Sequence, residues 1–322
     1  MTNGLSPSRN HSPSDVPKRK RYPYLLKGAA FLASYALGLS LFHLLALTII
    51  TYFMISGGAQ PRFQEISDTY AANEIVLVSL ASLIFVVLLR SLNPLTTTTT
   101  EQIFTWRRFM QRYVPGFLSG SVLASGIIGA FLMAGIYRYL GSYIQLEEAT
   151  LTIANIALRI LAVITLAYCD EFIFRSKALT YFRKHLRDLP ASLLTAVLFS
   201  AIKMFQFDLG IAQVATLFLL GFALSIQACT DADFVRGAGF WSALLVVFHP
   251  LLSLPVFGNE VAGILILKYQ PAQASTTLRV LSGGAGGPLS GLCIQILLLS
   301  FIARSVIRHK KVLLNTPAPW LR

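Results

Sequence analysis

The stretch Asp170-Glu171-Phe172-Ile173-Phe174-Arg175 places two acids and a base inside an otherwise apolar region of the chain. It ends a hydrophobic run that begins at residue 151, and a basic, aromatic tail follows it over residues 176–184. Ionisable groups within a membrane are costly and are therefore candidates for function by default. On a helix, Glu171 and Arg175 stand at positions i and i+4, so they share a face and are expected to pair. A helix end that reaches the headgroup layer is the alternative interpretation.

The composition around this stretch is that of a membrane protein. Hydrophobic residues make up 55% of the 322 residues and charged residues 13%, against about 25% charged in ordinary soluble domains. We therefore expect an all-α fold, a polytopic membrane helical bundle embedded in the lipid bilayer. The net charge of +13 is assigned to the cytoplasmic loops and tails. A nucleic-acid partner is not expected, because no basic groove with interleaved aromatic residues appears on a soluble domain.

Hydropathy predicts about eight transmembrane helices, the last five in a core that forms the C-terminal half. The predicted spans cover residues 28–55, 75–92, 116–140, 151–174, 191–205, 210–228, 237–254 and 288–307. The third span carries Gly116xxxGly120 and Ser125xxxGly129, which indicate a face of small residues for close helix packing.

The chain divides into four segments. Residues 1–22 form a disordered basic cytoplasmic tail, and residues 23–145 form N-terminal transmembrane helices with an interfacial segment near 101–113, where aromatic residues alternate with arginines. Residues 146–310 form the membrane core, and residues 311–322 are a cytoplasmic tail. Lysine and arginine are dense at both ends and in 90–112 and 175–187, which predicts an integral protein of the plasma (inner) membrane with both termini cytoplasmic.

Two further polar side chains stand in predicted spans. Lys203 must find a partner, reach the interface or lose its proton. His249 alone is typical of a hydrogen-bonded core histidine. If the fourth, fifth and seventh helices meet, they bring Lys203, His249 and the acidic pair into one polar cluster. A carboxylate there activates a water, and the histidine handles a proton or stabilises an oxyanion.

These motifs resemble those of the CAAX protease and bacteriocin-processing family, also called the CPBP or Abi family, over about residues 150–305. Asp170-Glu171-Phe-Ile-Phe-Arg175 is similar to its EExxxR motif. Phe199xxxLys203 stands at the spacing of its FxxxH motif, and His249xxxSer253 resembles its HxxxN/D motif. The glycine-rich stretch 281–290 looks like the turn before the family's last helix.

The resemblance implies an intramembrane endopeptidase whose site opens to the cytoplasm. Its catalytic roles fall on Asp170, Glu171, Arg175 and His249, with Lys203 and Ser253 at the positions of a usual histidine and a usual Asn or Asp. The expected substrate is a membrane-embedded or lipidated protein or peptide.

Lys203 is the most consequential departure from the family. A protonated lysine cannot ligate a metal, so no cofactor is expected; zinc, a candidate by family analogy, is disfavoured. Lys203 would either stabilise an oxyanion or neutralise Glu171 in a buried ion pair, which would leave the site inactive.

The sequence is therefore compatible with three functions. The first is an active CAAX-type peptidase, and the second is a catalytically inactive relative that acts as a membrane binding, immunity or regulatory protein. A small transporter ranks last, because no inverted repeat is visible.

Overall fold

A computed structural model describes residues 23–57, 62–92, 105–144, 149–231, 233–258, 263–271, 275–310 and 313. The predicted tail 1–22, all of the tail 311–322 except Leu313, and residues 101–104 of the interfacial segment lie outside these residues. The predicted all-α bundle is confirmed, with one small sheet in addition.

Ten α-helices form the described part of the chain. They are α1 (Pro23–Ser56), α2 (Phe63–Leu92), α3 (Trp106–Met133), α4 (Ala149–Glu171), α5 (Thr180–Arg183), α6 (Asp188–Gln206), α7 (Ile211–Asp231), α8 (Val235–Val246), α9 (Thr276–Ser282) and α10 (Leu292–Arg308). π-helical turns continue α4 over Phe172–Leu179 and α8 over Val247–Leu251, and 3₁₀ turns at Gly284–Gly286 and Pro288–Ser290 precede α10.

Six of the described helices are long and apolar enough to cross a membrane, judged by length and composition. They are α1, α2, α3, the continuous helix Ala149–Arg183, α6 and α7. The predicted seventh span corresponds to the shorter apolar helix Val235–Leu251, which contains Pro250. The predicted eighth corresponds to the 17 residues of α10. Residues 106–113 form the first turns of α3 itself, so the aromatic and arginine residues there continue directly into the third span.

The outer surface of the bundle is apolar, as a surface that faces lipid must be. Along α1, the side chains of Leu37, Leu41 and Leu44 are 62%, 58% and 63% exposed. Three large apolar side chains spaced along one helix would be a liability in water but are at home among acyl chains. The protein is therefore an integral membrane protein.

The helices α3 and α8 approach so closely that only glycine fits at the contact. A Cβ atom on Gly239 would lie 2.2 Å from the Tyr113 carbonyl oxygen, and one on Gly116 would lie 2.1 Å from that of Arg236. A Cβ atom on Gly120 would lie 2.6 Å from the Phe240 carbonyl oxygen. The predicted close packing at Gly116xxxGly120 is thus confirmed, and it fixes α8 against the bundle. In contrast, a Cβ atom on Gly129 would meet nothing within 4 Å.

A two-stranded antiparallel sheet joins two loops that are distant in sequence. Strand β1 (Tyr137–Ser142) pairs with β2 (Leu265–Tyr269), with Tyr137 opposite Tyr269 and an irregularity between Tyr139 and Gly141. The sheet thus joins the chain after α3 to the chain after α8.

Replacement of Gly239 by Ala should destabilise the protein, because the new methyl group meets backbone atoms that cannot move cheaply. We expect a loss of about 1–3 kcal/mol, the usual cost of overpacking, measured as a lower thermal midpoint in detergent. Gly126→Ala is the matched control, since a Cβ atom there meets nothing within 4 Å. Equal midpoints for the two variants would contradict the close packing of α3 and α8.

Candidate active site

The acidic pair lies at the end of α4, where the helix changes to π-helical hydrogen bonding. Asp170 and Glu171 are 0% exposed, and Arg175 is 2% exposed. Consecutive side chains on an α-helix point about 100° apart. The two acids therefore face different neighbours, although they are adjacent in sequence.

Asp170 faces α6 and α8, and both of its carboxylate oxygens are engaged. The Nζ atom of Lys203 lies 2.8 Å from Oδ1. The indole Nε1 of Trp241 donates a hydrogen bond of 3.2 Å to Oδ2. Both Lys203 and Trp241 are 0% exposed. One carboxylate thus ties three helices together away from solvent.

Aromatic rings enclose the Lys203 ammonium group. Its Nζ atom lies 5.5 Å from the centre of the Phe207 ring and 5.9 Å from those of Phe199 and Phe257. The negative faces of aromatic rings stabilise a desolvated cation. These rings and the Asp170 carboxylate give the ammonium group a defined position.

Glu171 pairs with Arg175 on its own helix. The Nη1 atom of Arg175 lies 2.9 Å from Glu171 Oε1, as the i, i+4 spacing predicts. The Nη2 atom of Arg175 donates a hydrogen bond of 3.1 Å to the Gly221 carbonyl oxygen, and its guanidinium carbon lies 4.5 Å from the centre of the Phe199 ring. Arg175 is therefore held by α7 and α6 while it orients the glutamate.

The second oxygen of Glu171 faces a glycine of α8. A Cβ atom on Gly237 would lie 2.9 Å from Oε2, and Oε2 has no hydrogen-bond donor among the described residues. One oxygen of this carboxylate is thus fixed by Arg175, and the other remains available as an acceptor.

Lys203 pairs with an acid of the membrane interior, but of the two roles predicted for it, the neutralisation of Glu171 is wrong. Lys203 contacts Asp170, and Glu171 takes Arg175 instead. The reason is geometric: the helical rotation between residues 170 and 171 turns only the first carboxylate towards α6. The interior therefore holds two separate ion pairs instead of one.

His249 occupies a different cavity from the acids. It is 2% exposed, and it lines a small cavity with Arg159, Glu74 and Phe257. It follows Trp241 by eight residues on α8, which corresponds to about 12 Å along the helix axis at about 1.5 Å per residue. The structure brings Asp170, Glu171, Arg175 and Lys203 together and places His249 elsewhere.

Ser253 makes structural contacts at the end of α8. Its Oγ atom donates a hydrogen bond of 2.9 Å to the Leu265 carbonyl oxygen and accepts one of 2.7 Å from the Gly263 amide. Its φ of 55° is in the left-handed region that favours glycine. These contacts connect α8 to β2, and the catalytic roles of Ser253 and His249 stay predictions.

A comparison with protein-family models matches residues 150–232 to the family described as Type II CAAX prenyl endopeptidase Rce1-like. The chain carries an Rce1-like domain. This match confirms the resemblance to the CAAX-protease family. Comparisons with curated proteins and with solved structures find no match to the chain.

The Rce1-like domain contains both ion pairs and ends before α8 begins. Asp170, Glu171, Arg175 and Lys203 lie within it, whereas Trp241, His249 and Ser253 follow it. The match thus covers the part of the chain that holds the acidic pair, and α8 completes the surroundings of that pair from outside the matched segment.

The donor set of the Rce1-like domain does not fit zinc. The Lys203 ammonium lies 2.8 Å from the Asp170 carboxylate, where it has no lone pair to offer a metal. Among the described residues, no group of three or more His, Cys, Asp or Glu side chains is arranged to hold a metal ion.

Sequence reasoning missed three residues around the acidic pair. Trp241 is the hydrogen-bond donor on Asp170, and Gly237 and Gly221 allow the close approach of Glu171 and Arg175. The indole N–H of a buried tryptophan in an apolar helix needs a hydrogen-bond acceptor. This requirement could have indicated that Trp241 contacts one of the buried acids. Nothing in the sequence distinguishes these two glycines from the others of the bundle.

Lys203→Ala should destabilise the Rce1-like domain, because it leaves the buried Asp170 carboxylate without its cation. Removal of one partner of a buried pair typically costs about 3–5 kcal/mol, which a thermal midpoint in detergent would register. Arg236→Ala is the matched control, because Arg236 and Asp231 are partly exposed and 3.7 Å apart, and such pairs contribute at most about 1 kcal/mol. An unchanged midpoint for Lys203→Ala would count against the pairing.

Proposed function

We propose that this protein is an intramembrane endopeptidase of the CAAX-protease type. Its substrate is a membrane-embedded or lipidated protein, cleaved near the cytoplasmic face. Glu171 acts as the general base, Arg175 positions it, and Lys203 supplies positive charge beside the acidic pair. Both termini are cytoplasmic in this proposal, in line with the distribution of lysine and arginine.

The observation that carries the proposal is the difference between the two oxygens of Glu171. Oε1 is paired with Arg175, which fixes the carboxylate, while Oε2 faces Gly237 and has no donor in the part of the chain that the structure describes. A general base needs an oriented group with a free lone pair. Glu171 meets this requirement, and Asp170 does not, because its two oxygens are engaged by Lys203 and Trp241.

The reaction follows from these positions. Oε2 of Glu171 accepts a proton from a water molecule, and the resulting hydroxide attacks the carbonyl carbon of the scissile peptide bond. The tetrahedral intermediate collapses with cleavage of the C–N bond, and the glutamic acid returns its proton to the leaving amine. The nearby Lys203 ammonium favours the negative charge that develops on the carbonyl oxygen. His249 and Ser253 take no part in these steps.

A second candidate function is that of a catalytically inactive relative which binds or regulates a membrane partner. Its support is the completeness of the burial: Asp170, Glu171 and Lys203 are 0% exposed, and Arg175 is 2% exposed. Two ion pairs that are shielded from solvent can stabilise the bundle in a protein with no catalytic activity. For catalysis, a water molecule must first reach the buried Glu171 carboxylate.

Glu171→Gln should abolish peptide cleavage, because an amide cannot accept the proton; it also leaves the buried Arg175 without its opposite charge, so the thermal midpoint of the variant is measured beside its cleavage. General acid–base catalysis contributes about 10²–10⁴-fold, so cleavage should fall by at least about 100-fold. The measurement is mass spectrometry of lipidated and plain membrane-proximal peptides incubated with the reconstituted protein.

Glu65→Gln is the matched control, since Glu65 is an exposed acid in the first turn of α2. Retained cleavage in Glu171→Gln would remove the glutamate from the mechanism. An inactive wild type together with an active Lys203→His variant would favour the inactive relative, and inactivity of both would favour a binding protein.

A further inference from the structure

His249 belongs to a second polar site, which the proposed chemistry does not use. The cavity it lines is bounded by α2, α4 and the segment after α8 through Glu74, Arg159 and Phe257. His249 lies in the π-helical turn that ends α8, and Arg159 precedes Asp170 by eleven residues on α4. This places Arg159 about 16 Å from Asp170 along the helix axis.

One nitrogen of the buried His249 ring has no hydrogen-bond partner among the described residues. The ring hydrogen-bonds to the backbone of Leu254, but its Nδ1 atom is buried without a partner among the described residues. An unsatisfied buried polar atom typically costs about 1–3 kcal/mol. A native structure keeps such an atom at a cavity wall when a small polar molecule satisfies it.

The charges around the cavity restrict what that molecule is. Arg159 is a half-buried cation and Glu74 a half-buried anion, and both line the cavity with His249. A bound anion would meet the Glu74 carboxylate, and a bound cation would meet the Arg159 guanidinium. A neutral molecule that both donates and accepts hydrogen bonds suits all three groups.

The size of the cavity also favours a small neutral molecule. It has room for about one water molecule, and a buried water needs two to four polar partners. Glu74, Arg159 and His249 provide a carboxylate, a guanidinium and a ring nitrogen.

The geometry points to a hydration site for one internal water, held between His249 Nδ1, Arg159 and Glu74. The water links α2 and α4 to the end of α8, and neither acid of the pair lines the cavity. His249 is then a positioning residue for that end of α8, where the Ile264 amide also donates a hydrogen bond to the Pro250 carbonyl oxygen.

Hydroxyl-radical labelling by a brief X-ray pulse tests the proposal on the full chain in detergent. Radicals formed from an internal water oxidise the side chains beside it even when these are buried. His249 and Phe257, which are 2% and 3% exposed, should be oxidised several-fold more than Phe248. Phe248 is 0% exposed, is the neighbour of His249 in sequence, and does not line the cavity. Equal labelling of the three residues would overturn the proposal.

His249→Phe supplies a second test that is independent of both labelling and cleavage. If the water is present, the phenyl ring removes one of its partners, and the thermal midpoint falls; His249→Gln keeps a polar group and should lose less. If the cavity is dry, His249→Phe loses the hydrogen bond to the Leu254 backbone but also removes an orphaned polar atom, so the two effects offset each other and the midpoint is unchanged or higher. The latter result would overturn the proposal without bearing on the role of Glu171.

Discussion

The ion pair between Asp170 and Lys203 is the constraint on which the core of this membrane protein depends. A lone carboxylate in an apolar interior costs several kcal/mol, and an opposite charge repays this only with good geometry and further hydrogen bonds. The 2.8 Å contact with Lys203 and the hydrogen bond from Trp241 supply both conditions. Because the three residues come from α4, α6 and α8, the polar contact determines how these helices meet.

The neighbouring pair works differently, because Glu171 and Arg175 belong to the same continuous helix. Their contact does not by itself join distant parts of the chain. Arg175 makes that connection through the Gly221 carbonyl oxygen on α7 and the Phe199 ring on α6. The result is a carboxylate held through one oxygen and available through the other, which is the arrangement that gives the acidic pair its proposed chemistry. Lys203 therefore engages the first acid, and the second acid pairs with Arg175.

Much of this arrangement could be predicted from the sequence, and the failures have physical causes. Hydropathy located the apolar helices, and the i, i+4 spacing gave the Glu171–Arg175 pair. Hydropathy does not give the rotation of a helix about its axis, so it does not decide which of the two acids faces Lys203. It also does not give the depth at which packed helices meet, so the predicted cluster includes His249, which lies about two turns along the helix from Trp241, the residue that contacts Asp170. Nothing in the sequence distinguishes the two strands that pair at Tyr137 and Tyr269 from ordinary loops.

The most direct test of the central claim is a double-mutant cycle between Asp170 and Lys203, read as the free energy of unfolding in detergent. Asp170→Asn and Lys203→Met each break the pair and leave its other member buried with no opposite charge. If the pair organises the core, the double variant should recover much of the stability that each single variant loses, with a coupling energy at the upper end of the usual range of about 0.5–3 kcal/mol. Additive losses in the double variant would contradict the claim, because they would show that the two side chains stabilise the protein independently of each other.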